Sequence, residues 1–283
     1  MLVNRKKITF VVVVYNKSLK VPSLTLTTLL ERQSKFDNIN CVICNNGPLS
    51  IVSDFIKLKE DYPHLLFHEY LDNKPLAQLY NDVIKDYPAE HYVILDDDTE
   101  INLSYLEEVY NFEGDVLVPE IFSNGKKQYP AADKRAPYNK TGKVDSFILS
   151  IASGLVISDY LVNEFRQEFG NVFDERFAFY GVDLAFFYRL TDYKKFNVVV
   201  DSALYHSLSK FEVENKAVKA FRKKEQILSK IILLRHYKKQ RKTTYLKYIE
   251  ALSKAILFGL KEGDVQFIRS VFRAVKEGKH PRC

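Results

Sequence analysis

Three consecutive aspartates, Asp96, Asp97 and Asp98, follow a short apolar run in the segment HYVILDDDTEINL at residues 91–103. Adjacent carboxylates repel one another unless a positive group lies among them. Alternate side chains of an extended segment point the same way, so we expect Asp96 and Asp98 to face one ligand while Asp97 turns aside. Carboxylate oxygens suit Mg²⁺ or Mn²⁺, and Mg²⁺ sites commonly add substrate phosphates. The segment favours a divalent metal that bridges a nucleoside diphosphate to the protein. The alternative is an acidic helix start, with a cap and favourable dipole charges.

The elements that must position these aspartates alternate between strands and helices. The first run is continuous, apolar and β-branched, as expected for a strand buried on both faces of a parallel sheet. Strands that alternate with helices at this spacing indicate βαβ crossovers, so the predicted fold class is α/β with a doubly wound, mainly parallel sheet. The predicted strands are KITFVVVVY, NINCVICNN, HLLFHEYL and HYVILDDD, and the predicted helices are SLTLTTLLERQ, LSIVSDFIKLKEDY and PLAQLYNDVIKDY.

Polar side chains stand at the end of every predicted strand. In doubly wound sheets, ligands gather at the carboxyl ends of the strands. Neither glycine-rich phosphate loop, GxGxxG or GxxxxGK followed by Ser or Thr, occurs in the chain, which argues against a dinucleotide or P-loop site. The strand-end residues are Tyr15 and Asn16, Asn45, Asn46 and Gly47, Asp72 and Asn73, and Asp96, Asp97 and Asp98.

The charge distribution predicts two parts. Residues 209–283 contain 20 basic and 7 acidic residues, which leaves 22 basic and 29 acidic residues in residues 1–208. We therefore predict an acidic catalytic or binding domain over residues 1–208, and a basic helical extension over residues 209–283. The 46% hydrophobic content is enough for a sizeable core.

Several other classes of protein are disfavoured. The N-terminal run ITFVVVV is too short for a secretory apolar region, and no stretch approaches roughly 18 uninterrupted apolar residues. Cys41 and Cys44 point to opposite faces of a predicted strand, so we interpret them as core residues rather than as zinc or redox ligands. We expect a cytoplasmic protein.

The basic extension has apolar residues at helical spacing, which predicts amphipathic helices with Lys and Arg on the other face. Three uses stay open: peripheral contact with an anionic membrane surface, a lid packed on the first domain, or a homodimer interface. Nucleic-acid binding would explain the basic charge but not the acidic strand ends, so no nucleic acid is expected. The apolar residues are Ile227, Ile231 and Leu234, then Tyr245, Ile249, Leu252 and Ile256.

An ordered set of segments resembles the family-2 nucleotide-sugar glycosyltransferases with the GT-A fold, and within them the rhamnosyltransferase-like branch. The resemblance covers roughly residues 8–208 and rests on VVVVYNKS, CNNGP, NKPLAQLYNDVI, LDDDT, IASGLVIS and FDERFAFYGVDLAFFYRL. It implies inverting transfer from a nucleoside diphosphate sugar, dTDP-rhamnose or a UDP-sugar, assisted by Mn²⁺ or Mg²⁺. It also implies a glycan acceptor, usually lipid-linked at the inner membrane face, in bacterial surface polysaccharide synthesis. A sugar nucleotidyltransferase is the alternative enzyme class, although its usual glycine- and arginine-rich loop is missing.

The resemblance assigns most strand-end residues to the donor. Asn45 and Asn46 stand where relatives often have an acid, and Pro75 stands close to the place of a usual glycine. Asp96 resembles the acid near the ribose, with Asp97 beside it, and Asp98 resembles the metal ligand. The residues assigned to the nucleotide sugar are Val14, Tyr15, Asn16, Asn45, Asn46, Asn73, Asn81, Asp96, Asp97, Ser153 and Gly154.

The second half of the resemblance supplies the chemistry. Asp183 matches the position of the catalytic base, with Val182 in place of a usual Glu, and its apolar neighbours in the sequence are expected to raise its pKa. The alternative is an acid at a helix start near Arg189. His206 matches a histidine that completes the metal or diphosphate shell, or is simply a satisfied polar residue. Gly154, with Ser153, either lets the backbone approach the donor or forms a tight bend into a strand.

Overall fold

The computed structural model describes residues 6–20, 23–33, 36, 38–132, 136–193, 196–207, 216–237 and 245–283. They divide into two compact units. The first consists of Met1–Lys74, Tyr80–Val172 and Lys195–Phe211, and the second of Pro75–Leu79, Phe173–Lys194 and Glu212–Cys283. The division of function at residue 208 stays a prediction, and residue 208 itself lies outside the described residues.

The first unit contains a mixed, mainly parallel sheet, as the sequence predicted. Its main path has the order β3-β2-β1-β4-β9-β6-β10-β5, while β7 pairs with β6 and β8 with β10. The strands are β1 Ile8–Val14, β2 Ile39–Asn45, β3 Leu65–Glu69, β4 His91–Asp96, β5 Thr99–Glu100, β6 Val116–Ser123, β7 Lys126–Tyr129, β8 Gly142–Lys143, β9 Leu155–Ser158 and β10 Val198–His206.

Helices follow the first strands in the alternation expected of βαβ crossovers. Strands β1 to β4 pair in parallel, and β10 pairs in parallel with β6. Strand β9 runs antiparallel between β4 and β6. The helices are α1 Leu24–Gln33, α2 Val52–Asp61, α3 Leu76–Asp86, α4 Leu103–Asn111, α5 Asp159–Phe169, α6 Val182–Tyr193, α7 Lys216–His236, α8 Tyr245–Lys261 and α9 Val265–Glu277.

Each unit has its own apolar core. In the first, β1 is buried along its whole length, and Cys41 and Cys44 are both buried with free thiols. Burial raises the pKa of Cys41 to about 12 and raises the pKa of Cys44 as well, which fits their interpretation as core residues. In the second, Leu228 and Ile231 of α7 pack with residues of α8 and α9. Among the described helices, none combines the length and the apolar composition needed to cross a membrane.

Gly154 is required by the geometry of the bend that enters β9. Its φ is +84°, and its N–H donates to the carbonyl oxygen of Ile94 at 2.7 Å. A Cβ here would meet Leu204 Cδ1 at 2.6 Å and Pro119 Cγ at 2.7 Å. Packing alone therefore explains this glycine, and its contact with a donor stays a prediction.

Replacing Gly154 by Ala should destabilise the protein by about 3 kcal/mol, because backbone strain at positive φ adds to overpacking. Gly125 offers a matched control, since its φ is +70° and a Cβ there meets nothing within 4 Å. Gly125→Ala should cost only about 1 kcal/mol. Denaturant unfolding of both variants measures the difference in the free energy of unfolding. Equal losses would show that Pro119 and Leu204 move aside without cost.

Candidate functional site

The parallel register brings the ends of three strands to one edge of the sheet. Val14, the last residue of β1, lies opposite Asn45 of β2, and Val13 lies opposite Asp96 of β4. The side chain of Val14 is fully buried in the core, so only its backbone faces the strand ends. Its carbonyl oxygen accepts a hydrogen bond from the N–H of Asn46 at 2.8 Å. The edge predicted from the sequence is therefore formed by adjacent strands.

Asp96, Asp98 and His206 form a cluster whose potential ligand atoms all lie within 4.8 Å of one another. Nδ1 of His206 is 3.2 Å from Oδ1 of Asp98, and its Nε2 is 3.9 Å from Oδ2 of Asp96. His206 is the last residue of β10, and it reaches the aspartates because β5 pairs antiparallel with β10 in a register that sets Thr99 opposite His206. The structure thus brings together the two sequence-predicted metal ligands and Asp96.

The aspartates do not cap the following helix. Asn102 is the N-cap of α4, and its side chain accepts a hydrogen bond from the N–H of Tyr105 at 2.8 Å. Strand β5 lies between Asp98 and that cap. The alternative interpretation of the aspartates as an acidic helix start is therefore wrong.

Three hydroxyl groups hold the turn that carries the aspartates. The Thr25 hydroxyl lies 2.6 Å from the carbonyl oxygen of Asp96 and accepts from the N–H of Thr99 at 2.8 Å. The Thr99 hydroxyl lies 2.6 Å from that of Ser153 and 2.8 Å from Nδ1 of His206. Ser153 also accepts from the N–H of Asp96 at 3.1 Å. Ser153 therefore supports the cluster from behind, through the backbone of Asp96.

Sequence reasoning missed Thr25 and Thr99. Both are fully buried polar residues, and a buried hydroxyl needs hydrogen-bond partners. Thr99 follows the three aspartates directly, so the segment DDDT contained that signal. Thr25 gave none, because it comes from α1 and is separated from the aspartates by 71 residues.

Burial and mutual repulsion disfavour the charged forms of the aspartates. Desolvation, with a contribution from Asp97, raises the pKa of Asp96 to about 6 against the pull of Lys17. Desolvation also raises the pKa of Asp98 to about 6; attraction to His206 opposes this shift, and repulsion from Asp96 and Asp97 adds to it. Within the described part of the chain, Oδ1 of Asp98 is a buried atom without a hydrogen bond.

Asp97 lies outside the cluster, as predicted, although Asp97 and Asp98 are in the turn between β4 and β5 rather than in an extended strand. Its Oδ1 accepts a hydrogen bond from Lys17 Nζ at 2.8 Å, in a pair that leaves Lys17 half exposed. Desolvation raises the pKa of Asp97 even so, with Lys17 opposing the shift. Its assignment to the nucleotide sugar stays a prediction, since its contact in the structure is with this lysine.

Asn45 and Asn46, at and after the end of β2, differ in whether their side-chain oxygen makes a hydrogen bond. Asn45 is engaged within its own loop: its Nδ2 donates to the Leu49 carbonyl and to Glu69, and its Oδ1 accepts from the Gly47 N–H. Asn46 donates through Nδ2 to Oδ1 of Asn73 at 3.2 Å. Its own Oδ1 is buried and has no hydrogen bond to any described residue. Asn46, rather than Asn45, therefore has an acceptor available for a ligand.

The remaining predicted residues of this edge differ in exposure. Tyr15 is half exposed at the end of β1. Asn16 and Asn73 both adopt a φ of +52°, the left-handed conformation that Asn tolerates better than most residues. Asn81 is partly buried in α3.

Asp183 belongs to the second unit, where it lies in the first turn of α6. The apolar neighbours that suggested a buried carboxylate, such as Val182, Ala185 and Phe186, are indeed buried, but Asp183 itself is partly exposed. Adjacent residues of a helix face different directions, so sequence neighbours do not define the surroundings of a side chain. The raised pKa and the role of Asp183 therefore both stay predictions.

Two proteins of known structure, TarS and GalNAc-T7, share this fold. S. aureus TarS, residues 1–349, in complex with UDP, is 14% identical over 97% of this chain and 93% of that chain, with a TM-score of 0.52. The same protein in complex with UDP-GlcNAc gives 15% identity, the same coverage of both chains, and a TM-score of 0.51. GalNAc-T7 with UDP, GalNAc and Mn²⁺ is 13% identical over 82% of this chain and 48% of that chain, with a TM-score of 0.57.

No protein-family model and no curated protein matches the sequence. At these identities the structural likeness shows the fold alone. The chain has the mixed α/β architecture of the GT-A glycosyltransferase fold, with a mainly parallel sheet flanked by helices.

Replacing Asp98 by Asn should stabilise the metal-free protein and abolish its stabilisation by Mn²⁺. The folded-state pKa of Asp98 is raised, so stability is lost as the pH rises through about 6, and a neutral amide removes that penalty. After allowance for solvent screening, we expect a gain of roughly 1 kcal/mol at neutral pH, or about 2 °C in Tm. Thermal melts with chelator and with Mn²⁺ measure both effects.

Asp97→Asn is the matched control for Asp98→Asn. It removes one of the same three charges but no member of the cluster, so stabilisation by Mn²⁺ should persist. Destabilisation of metal-free Asp98→Asn, or an unchanged Mn²⁺ effect in that variant, would contradict the assignment of Asp98 as a metal ligand.

Proposed function

We propose that this chain is a metal-dependent, inverting glycosyltransferase that moves a sugar from a nucleoside diphosphate to a hydroxyl of a glycan acceptor. The observation that carries the proposal is the convergence of Asp96, Asp98 and His206 at the carboxyl edge of a parallel sheet, where ligands of such sheets bind. Solved proteins of the same fold, crystallised with UDP, with UDP-GlcNAc, and with UDP, GalNAc and Mn²⁺, support it.

The cluster fits a divalent cation. Two carboxylates and an imidazole nitrogen form a mixed donor set that suits Mn²⁺, whereas Mg²⁺ prefers oxygen throughout. Oδ1 of Asp98 is buried, makes no hydrogen bond to a described residue and lies 3.2 Å from Nδ1 of His206, so it retains the capacity to bind a cation. When bound, the cation supplies positive charge to the diphosphate leaving group. Lys17, held by Asp97, adds a fixed positive charge beside the cluster.

Asn46 would select the base of the donor. Its buried, unused Oδ1 can accept from the imide N–H of uracil or thymine, and Asn73 orients its amide. The half-exposed ring of Tyr15 offers a face on which a base can stack. A UDP- or dTDP-sugar is therefore the proposed donor, with dTDP-rhamnose the narrower choice that the sequence resemblance adds.

Asp183 would act as the general base. As the acceptor oxygen bonds to the anomeric carbon and the bond to the diphosphate breaks, the carboxylate takes the hydroxyl proton, and a single displacement inverts the configuration. Asp183 is a partly exposed residue in the first turn of α6, which is compatible with contact to an acceptor. The acceptor proposed is a lipid-linked glycan of bacterial surface polysaccharide synthesis.

Asp183→Asn should reduce transfer by at least about 10²-fold without weakening donor binding, because only the proton acceptor is lost. The test combines two measurements: thermal shift with UDP-, dTDP- and GDP-sugars in the presence and absence of Mn²⁺, and release of free nucleoside diphosphate with a glycan acceptor. The wild type and the variant should show the same metal-dependent shift with a UDP- or dTDP-sugar.

Asp192→Asn is the matched control, since Asp192 is an exposed acid at the other end of the same helix. Its transfer rate should equal that of the wild type. Full turnover by Asp183→Asn would remove Asp183 as the base. Absence of any shift with every nucleotide sugar, with or without Mn²⁺, would overturn the proposed function.

A further inference from the structure

Helix α8, Tyr245–Lys261, is apolar on two opposite faces. Its inner face consists of small residues, Ala251, Ala255 and Gly259, and is buried. The inner face packs closely, because a Cβ on Gly259 would meet Ile268 Cγ1 of α9 at 2.5 Å. The residues on the opposite side of the helix form what we call the outer face, and they recur every three or four positions: Leu246, Ile249, Ser253, Leu257 and Leu260.

The leucines of the outer face are largely exposed to solvent. Leu246 is 73% exposed, Leu257 64% and Leu260 63%. The sequence predicted one apolar stripe through Tyr245, Ile249, Leu252 and Ile256 and left its use open. The structure divides that stripe: Leu252 packs against the core of the second unit, whereas Tyr245 and Ile249 are exposed. Clustered leucines that face water on one helix indicate a binding surface.

Positive charge borders the outer face along its length. Lys247, Lys254 and Lys261 recur every seven residues, so they form a row on one side of the leucines. Glu250, the acid of this row, is paired with Lys254.

Helix α9 also carries exposed apolar residues next to basic residues, although fewer of them. Phe272 is 57% exposed and Val265 is 61% exposed. Arg269 and Lys276 lie within one helical turn of Phe272, on the same exposed side. Two successive helices of this unit therefore combine exposed apolar side chains with neighbouring basic residues.

We propose that the outer face of α8 docks on an anionic lipid surface, with its leucines in the interface and its lysines at the phosphate level. Exposed leucines beside a lysine row are the pattern of helices that lie in the plane of a membrane. A 17-residue helix is about 25 Å long and, among the described helices, none is suited to span a bilayer.

The charge pattern favours lipid over a second copy of the chain. A symmetric dimer formed through this face would bring the lysine rows of two copies together, and like charges oppose such pairing. An anionic headgroup layer is complementary to that charge. The proposal does not depend on the proposed enzymatic function, because its evidence is the exposure and charge of two helices and involves no sugar donor or glycan acceptor.

The test is co-sedimentation of the full chain with vesicles of phosphatidylcholine alone or with about 30% phosphatidylglycerol. The wild type should bind the anionic vesicles at least tenfold more strongly, and the preference should fall at high salt. Leu257→Gln with Leu260→Gln should weaken binding at least tenfold at unchanged Tm, because both side chains already face water. Lys247→Ala with Lys261→Ala should remove the preference for anionic lipid.

A matched control replaces two exposed apolar residues of α2, Val52→Gln with Ile56→Gln, and should bind vesicles like the wild type. Light scattering without lipid completes the test. A wild-type dimer that becomes monomeric in the leucine variant would make the outer face an interface between copies and overturn the proposal. Absence of vesicle binding, or equal binding to neutral vesicles, would overturn it as well.

Discussion

Repulsion among the carboxylates of Asp96, Asp97 and Asp98 is the constraint on which the candidate site depends. Nothing about the strand itself requires three acids, and their raised pKa values show that the fold tolerates them at a cost. The turn persists because uncharged hydroxyls, those of Thr25, Thr99 and Ser153, hold its backbone from behind. The carboxylates of Asp96 and Asp98 are thus kept in place by groups that do not neutralise them, and the missing charge is left to a ligand.

The order of the strands explains how His206 joins this cluster. Strand β10 is not adjacent to β4, since β9 and β6 lie between them. The chain after Asp98 forms the short strand β5, which pairs with the end of β10 and places Thr99 opposite His206. A two-residue strand therefore connects the aspartate turn to a histidine more than a hundred residues later. Side chains that follow β4 and end β10, two strands apart in the sheet, can meet because of this short antiparallel pairing.

Much of the fold was accessible from the sequence, because the apolar runs of β1, β2 and β4 and the polar residues after them follow simple periodicity. The prediction that Asp97 turns away from Asp96 and Asp98 was right, but for another reason than strand alternation, because Asp97 and Asp98 lie in a turn. Contacts between residues distant in sequence could not be predicted. Thr25 supports the aspartate turn from a helix 71 residues earlier. Asn45 and Asn46 are the same residue type and differ only in the hydrogen bonds that they make in the structure. Asp183 shows that sequence neighbours do not fix the burial of a side chain, since Val182, Ala185 and Phe186 are buried while Asp183 is a partly exposed residue. Helical spacing alone did not show which apolar residues of α8 are buried, since Leu252 packs against the core while Leu257 and Leu260 face water.

The central claim is that Asp96, Asp98 and His206 share one divalent cation. Anomalous diffraction from crystals grown with Mn²⁺ and UDP tests it directly. The account predicts a single strong manganese peak within about 2.5 Å of an Asp98 carboxylate oxygen and a His206 ring nitrogen. A manganese peak bound elsewhere, with Asp98 and His206 still 3.2 Å apart as an unbridged pair, would contradict it.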